Sequence, residues 1–203
     1  MTTGISHPVL DQTGQHLLFS GAHSIRQFSD EPVARDVLER AWDLAKWPPT
    51  AWNCQPMRVI HVTSPEGKTR LLPLVDERNR AKVEQAPVTS ILVSDYNYHH
   101  DLPELFPRAE GLREMLDEGP AGLRIKYAHF NATLQAGYFM LAARAVGLSV
   151  GPMAGFDAEA VTEEFLDPDT MHALVLVNLG YPAPDTAVIR LPRLPDDRVV
   201  NWV

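Results

Sequence analysis

"LRIKYAHFNATLQAGYFMLAARAVGL" runs from Leu123 to Leu148. The run predicts one long helix that stops near Gly147, and its apolar residues settle how the chain is used. Between Tyr127 and Leu148 they fall on every side of the helix instead of along one stripe. A helix that is apolar all round is buried all round. In a chain of 203 residues, a second subunit covers the outer face of such a helix more easily than the chain itself does. The expectation is a homodimer; the alternative is the central helix of a monomer.

Outward from that helix, "APVTSILVSD" (Ala86–Asp95) is a continuous apolar, β-branched run, the pattern of a central strand. "RVIHVTS" (Arg58–Ser64) alternates and predicts a strand, and "HALVLVNLGYP" (His172–Pro182) predicts another buried one. Val33, Val37, Ala41 and Leu44 recur at helical spacing until Pro48 and Pro49 stop the helix. "SPEGKTRLLPLV" reads as a loop entering a short helix bent at Pro73. Asp157 is an N-cap for the helix in "AEAVTEEF". "NYHHDLPELFPRAEGLREMLDEGPAG" reads as irregular, with one or two helical turns, and "SVGPMAGFD" (Ser149–Asp157) as a turn. The first 21 residues hold at most a short helix. The end, "APDTAVIRLPRLPDDRVVNWV", is too rich in proline for a helix. It carries Val188, Ile189, Leu191 and Leu194 with little to pack against locally, as an arm that wraps a second copy does; the alternative is a tail on its own surface.

The composition, 45% hydrophobic and 22% charged, fits one globular domain over residues 1–203, with residues 1–17 and an arm at 182–203 peripheral. A formal net charge of −8 disfavours nucleic acid and anionic membrane as partners, since both need a basic face. A local basic pocket in an acidic protein would select a small anion. The single cysteine makes neither an intrachain disulfide nor a thiolate zinc site. No cationic start leads into an apolar run, and Gln135 and Arg144 interrupt the most apolar region. The expected location is the cytoplasm, without a membrane span.

Four short polar clusters carry the chemistry. In "AHSIRQF", Ser24 and Arg26 together can grip a phosphate by a hydroxyl and a guanidinium fork. In "RNRAKVEQAP", Asn79 and Lys82 share one helical face and suit a polar, electron-rich ring edge. Gly151 and Gly155 bracket Pro152, Met153 and Ala154, in a turn that exposes backbone N–H groups to a flat ligand. In "RLPRLP", Arg190 and Arg193 can close over a phosphate. Alone, each is a weak signal, and a solvated turn, helix end or tail is the commoner reading of such residues. "PPTAWNCQPM" (Pro48–Met57) makes Cys54 either a nucleophile or part of a rigid wall. No metal is expected: His99 and His100 are adjacent, so in an extended segment they point apart, and no ligand spacing supports a site. The chain has no dinucleotide fingerprint, P-loop or G-x-S-x-G elbow.

In this order, "HSIRQF", "PPTAWNCQP", "RNRAK", "GPMAGFD" and the arginine-rich end resemble the nitroreductase superfamily of FMN-dependent NAD(P)H oxidoreductases, over roughly residues 18 to 195. "DLPELFP", "GPMAGFD" and "RLPRLP" are most similar to the malonic semialdehyde reductase subgroup. The resemblance implies an α+β fold with a central mixed sheet flanked by helices. It implies an intertwined homodimer with a C-terminal arm and FMN at the subunit interface. It assigns His23, Ser24 and Arg26, with Arg193 and Arg190, to the phosphate and ribityl chain. Asn79 and Lys82 go to the pyrimidine edge, with Lys82 as the electrostatic stabiliser of the reduced ring. Pro152, Met153, Ala154 and Gly155 go to flavin N5, through the backbone. Pro49, Thr50, Asn53 and Gln55 frame the ring from the other subunit, so Cys54 is wall and not nucleophile. Trp52 is a candidate substrate contact. The family commonly has arginine where Ala22 stands. The implied reaction is ping-pong hydride transfer from NADPH or NADH through FMN to a small acceptor: an aldehyde such as a 3-oxo acid, a nitroaromatic, a quinone or an enone. The alternatives are a flavin-dependent biosynthetic dehydrogenase or oxidase, and a non-catalytic FMN-binding protein.

Overall fold

A computed structural model describes residues 7–184 and 190–203. The chain opens with α1 (Gln12–Gln15), capped by Asp11, and a wider turn over His16–Ser20. α2 (Arg35–Ala45) follows. Strand β1 (Met57–Val62) leads to α3 (Pro65–Leu71), which tightens into a 3-10 turn over Leu72–Leu74 at Pro73, and then to α4 (Glu77–Gln85). β2 (Val88–Asp95) is followed by an excursion: a 3-10 turn over Tyr98–Asp101, then α5 (Leu102–Leu105) and α6 (Leu112–Glu118). The long helix is α7 (Ala121–Ala145). β3 (Ser149–Met153), α8 (Ala158–Phe165) and β4 (Met171–Gly180) complete the core.

The four strands are ordered β1-β2-β4-β3 and every pair is antiparallel. The expected mixed sheet is therefore corrected. Among the described residues, parallel pairing occurs only at an isolated bridge between Ser24 and Val150. All eight residues of β2 are buried, because both faces of the sheet are covered. On one face, α2 and α7 pack through Val37, Leu38, Ala132, Ala136 and Phe139 against Met57, Leu92 and Val177. On the other, α3, α4 and α8 supply Leu71, Val83 and Val161 against Ile91 and Leu176.

Three expectations change here. "SVGPM" is an edge strand and not part of a turn. The stretch after β2 is more helical than expected, with three short pieces. Leu44, assigned to the buried face of its helix, is 49% exposed, while Val37 and Ala41 are buried. The long helix ends as expected, with Gly147 at φ 91°. Its sheet-facing side carries the small residues Ala132, Ala136, Ala142 and Ala143 beside Phe139, which let it lie close to the strands. Its other side is not covered by the described residues: Phe130, Leu134 and Tyr138 are 63%, 42% and 44% exposed. Val188 and Ile189 of the arm lie outside the described residues.

Candidate cofactor site

The N-terminal half of α4 faces the residues that leave β3. Asn79 is buried, and its Nδ2 donates to the Gly155 carbonyl at 3.1 Å. The Asp76 N–H donates to the same carbonyl, also at 3.1 Å. With its carbonyl held twice, the Gly155 peptide has a fixed orientation. Its own N–H makes no hydrogen bond among the described residues. A Cβ on Gly155 would stand 2.5 Å from Asn79 Nδ2 and 2.6 Å from an Asp76 carboxylate oxygen, so any larger residue there would displace one of those two side chains. The Lys82 ammonium donates to Asn79 Oδ1 at 2.8 Å, as their spacing of three predicts. The Lys82 carbonyl accepts from Asn178 on β4 at 2.9 Å, which ties the last turn of α4 to the sheet. Asn79, Lys82, Pro152, Met153, Ala154 and Gly155 thus line one open cavity of about 550 Å³.

The "HSIRQF" segment lies along the free edge of β3. Ile25 N–H donates to the Val150 carbonyl at 3.1 Å, and the Ile25 carbonyl approaches Gly151 so closely that a Cβ there would be 2.7 Å away. Ile25 turns inward and is buried, which leaves Ser24 and Arg26 on the solvent side. The parallel bridge carries Arg26 toward Pro152. Arg26 makes no hydrogen bond or ion pair among the described residues. His23 Nδ1 lies 3.1 Å from the Gly21 carbonyl oxygen, and its Nε2 is buried with no partner. From the arm, Arg190 donates to the Ala22 carbonyl at 2.9 Å, so a guanidinium stands beside the position where the family's usual arginine is absent. Among the described residues Arg193 donates to the carbonyls of Leu191 and Pro192 in its own arm.

Residues 49–55 sit elsewhere. They precede β1, at the opposite edge of the sheet from β3. Three strand spacings separate the two edges, about 14 Å. Within one chain, Pro49, Thr50, Asn53 and Gln55 therefore do not reach the Asn79–Lys82 cavity. The segment is nonetheless fixed. Trp52, Asn53 and Gln55 have φ of 56°, 53° and 40°. Such values are costly for non-glycine residues and persist only where surroundings over-determine them. Two buried side chains one turn apart on α7 do so. Asn131 Oδ1 accepts the Ala51 N–H at 2.8 Å, and Gln135 Oε1 accepts the Met57 N–H at 2.9 Å. Arg58 donates to the Gln55 carbonyl at 2.8 Å. Trp52 rests on Tyr127, ring centres 4.7 Å apart. Asn131, Gln135 and Arg58 were not singled out from the sequence as functional. For Asn131 and Gln135 the one visible signal is a pair of amides four apart inside an apolar helix.

Cys54 is buried, and burial pushes its thiol up to about 11 against a weaker opposing hydrogen bond from Thr50. It is a neutral, inert thiol at ordinary pH. His99 and His100 do not point apart, because they occupy a 3-10 turn and not an extended segment. Their ring centres are 4.3 Å apart, and both approach Asp117. Arg113 and Arg124 also lie within 4 Å of that carboxylate and compensate its charge.

Residues 20–181 match the Nitroreductase family. This chain belongs to the nitroreductase family. It is 44% identical over 185 residues to a Streptomyces coelicolor protein named as an NADH dehydrogenase/NAD(P)H nitroreductase, covering 91% of each chain. It is 44% identical over 188 residues to a Leptothrix cholodnii protein of the same name, covering 93% of this chain and 95% of the other. The fold is similar to that of an Exiguobacterium sibiricum nitroreductase solved with FMN. The TM-score is 0.84 at 21% identity, over 97% of this chain and 99% of that one.

Proposed function

We propose that this nitroreductase-family chain is an FMN-dependent oxidoreductase. It takes hydride from NADPH or NADH and delivers it to a small electrophilic acceptor, an aldehyde, nitroaromatic, quinone or enone. The observation that carries this reading is the convergence of three distant segments, 23–26, 79–82 and 152–155, along one edge of the sheet. Their unused capacity fits the cofactor. Among the described residues, His23 Nε2 is an orphaned buried nitrogen, Arg26 is an unpaired guanidinium, and the Gly155 N–H is a donor without an acceptor. A phosphate-bearing ligand satisfies the first two, and a ring nitrogen or carbonyl satisfies the third.

When bound, FMN would supply the hydride chemistry itself. The chain binds and orients. Ser24, Arg26 and Arg190 hold the anionic end, and Arg193 joins them if the arm moves toward the edge of β3. Asn79 and Lys82 present an amide and a cation to the polar edge of the ring, where a fixed positive charge favours the reduced form. Gly155 offers a backbone N–H held rigid by Asp76 and Asn79.

The working unit in this proposal is a homodimer. It explains why the strained wall at Pro49–Gln55 is built so firmly yet lies far from the cavity of its own chain: it serves the partner's site. It also covers the apolar row Phe130, Leu134 and Tyr138. The arm, with Leu191 70% and Trp202 93% exposed, finds its place on the second copy. There, edge strand β1 borders a groove of about 790 Å³ lined by Val33, Leu38, Trp42 and Val59.

FMN titration of Arg26→Ala against wild type tests the phosphate end. Loss of a charge-assisted bond, about 1.5–3 kcal/mol, should weaken FMN binding at least tenfold with the dimer intact. Unchanged affinity would remove the 23–26 segment from the site.

A further inference from the structure

The wall segment is tied to the excursion between β2 and α7. Asn53 Nδ2 donates to the Leu105 carbonyl at 3.1 Å. The next residue, Phe106, packs against the buried cluster of Cys54, Tyr98, Leu102, Leu116 and Ala128, and Trp52 and Tyr127 pack on that same cluster. Over the Phe106 ring, 4.6 Å from its centre, stands the guanidinium of Arg108. Arg108 is exposed and makes no hydrogen bond or ion pair among the described residues. Arg35, Arg40, Arg58, Arg70, Arg78 and Arg113 all reach carboxylates. Arg108 does not, although Glu104 and Glu110 lie within four residues of it.

A guanidinium already resting over an aromatic ring, as Arg108 does over Phe106, loses less freedom on binding than one free in solvent. It keeps its N–H donors for a carboxylate or phosphate. In a chain of net charge −8, the long-range field repels anions, so an anionic substrate needs a local cation to be retained. We propose that Arg108 is the specificity-determining contact of the acceptor site. It grips a carboxylate carried by the acceptor, with Trp52 and Phe106 as the apolar surfaces beside it. The acceptor class narrows to small electrophiles that bear an acid group. This rests on the reading above that the Pro49–Gln55 wall borders a flavin site. The same chemistry would also suit the extra phosphate of NADPH, and the test separates the two.

The experiment uses the FMN-loaded protein. kcat/KM is measured for para-nitrobenzoate and its neutral analogue para-nitrobenzamide, in wild type, Arg108→Gln and Arg108→Lys. In Arg108→Gln the acid-to-amide preference should fall about tenfold, as loss of one charge-assisted contact implies. The change should be carried by KM, and Arg108→Lys should restore part of it. A preference that does not move overturns the assignment. So does an effect confined to the KM of NADPH relative to NADH, which would place Arg108 at the reductant's phosphate. Wild type that turns over the amide while the preference stays fixed sinks only Arg108. Wild type that retains no FMN sinks the parent reading and this inference with it.

Discussion

Among the described residues, Trp52, Asn53 and Gln55 are the non-glycine positions with positive φ, and their support comes from single side chains. Gln135 is 1% exposed and holds the Met57 N–H at 2.9 Å. Gln135→Ala leaves that buried donor unpaired, at a cost of about 1–3 kcal/mol. The unfolding free energy in urea should drop by that amount, and FMN affinity should drop with it, because the wall loses one of its hydrogen bonds to α7. Lost stability with unchanged FMN binding would separate the wall from the site. Cys54 gives the opposite expectation. Its thiol, pushed up to about 11, should resist alkylation in the native protein at pH 7–8, and Cys54→Ala should keep its FMN and its turnover. Rapid native-state labelling that abolishes turnover would contradict this. At this scale the sequence is readable where a contact is local. The Asn79–Lys82 pair follows from a spacing of three. The Arg190–Ala22 contact spans 168 positions and leaves no periodic trace. Asn131 and Gln135 show only as polar interruptions of an apolar helix, and their partners lie about 80 residues away.

At the scale of elements, β3 is the instructive case. "SVGPM" contains a glycine and a proline, which mark turns in most contexts. Here Pro152 is tolerated because β3 is an edge strand. Gly151 is needed because the Ile25 carbonyl crowds it. Gly151→Ala puts a Cβ 2.7 Å from that carbonyl. It should push the 23–26 segment off the strand, lowering stability by about 1–3 kcal/mol and weakening FMN retention more than Arg26→Ala does. FMN titration beside a denaturation curve checks both, and a variant indistinguishable from wild type would mean that the segment does not dock on β3. β2 was legible for the reason β3 was not: with both faces covered, it reads as one unbroken apolar run. The excursion was not legible because α5 and α6 have four and seven residues, too few for a helical period to emerge. His99 and His100 were misjudged for the same reason, since a short 3-10 turn was read as extended chain.

For the whole molecule, three histidines in separate elements share one response to acid. Burial holds His61, His99 and His129 below the ordinary histidine value, with nearby His172 adding to the effect on His129. The folded state therefore favours their neutral forms. Their contribution is complete above about pH 6.5 and is lost as pH falls through the depressed folded values. Asp117, lowered first by its hydrogen bond to His99, acts in the same direction at lower pH. The thermal midpoint should be flat from pH 8 to 7 and fall steadily from about 6.5 to 5; a midpoint that rises toward pH 5 would contradict the assignment. The fold class was legible from the strands and the long helix, since apolar runs record burial directly. The uncovered face of α7 was legible as excess apolarity, and it stays exposed in the single chain.

The account's central claim is a flavin held jointly by two copies of this chain. Its most direct measurement is the visible spectrum of the purified protein under anaerobic NAD(P)H, combined with light scattering for mass. The account predicts a species of about 45 kDa, twice the 22.6 kDa chain, with one FMN per chain. Its flavin band should bleach on adding NADH or NADPH and return when an acceptor follows. A colourless 22.6 kDa species that takes up no FMN would contradict it.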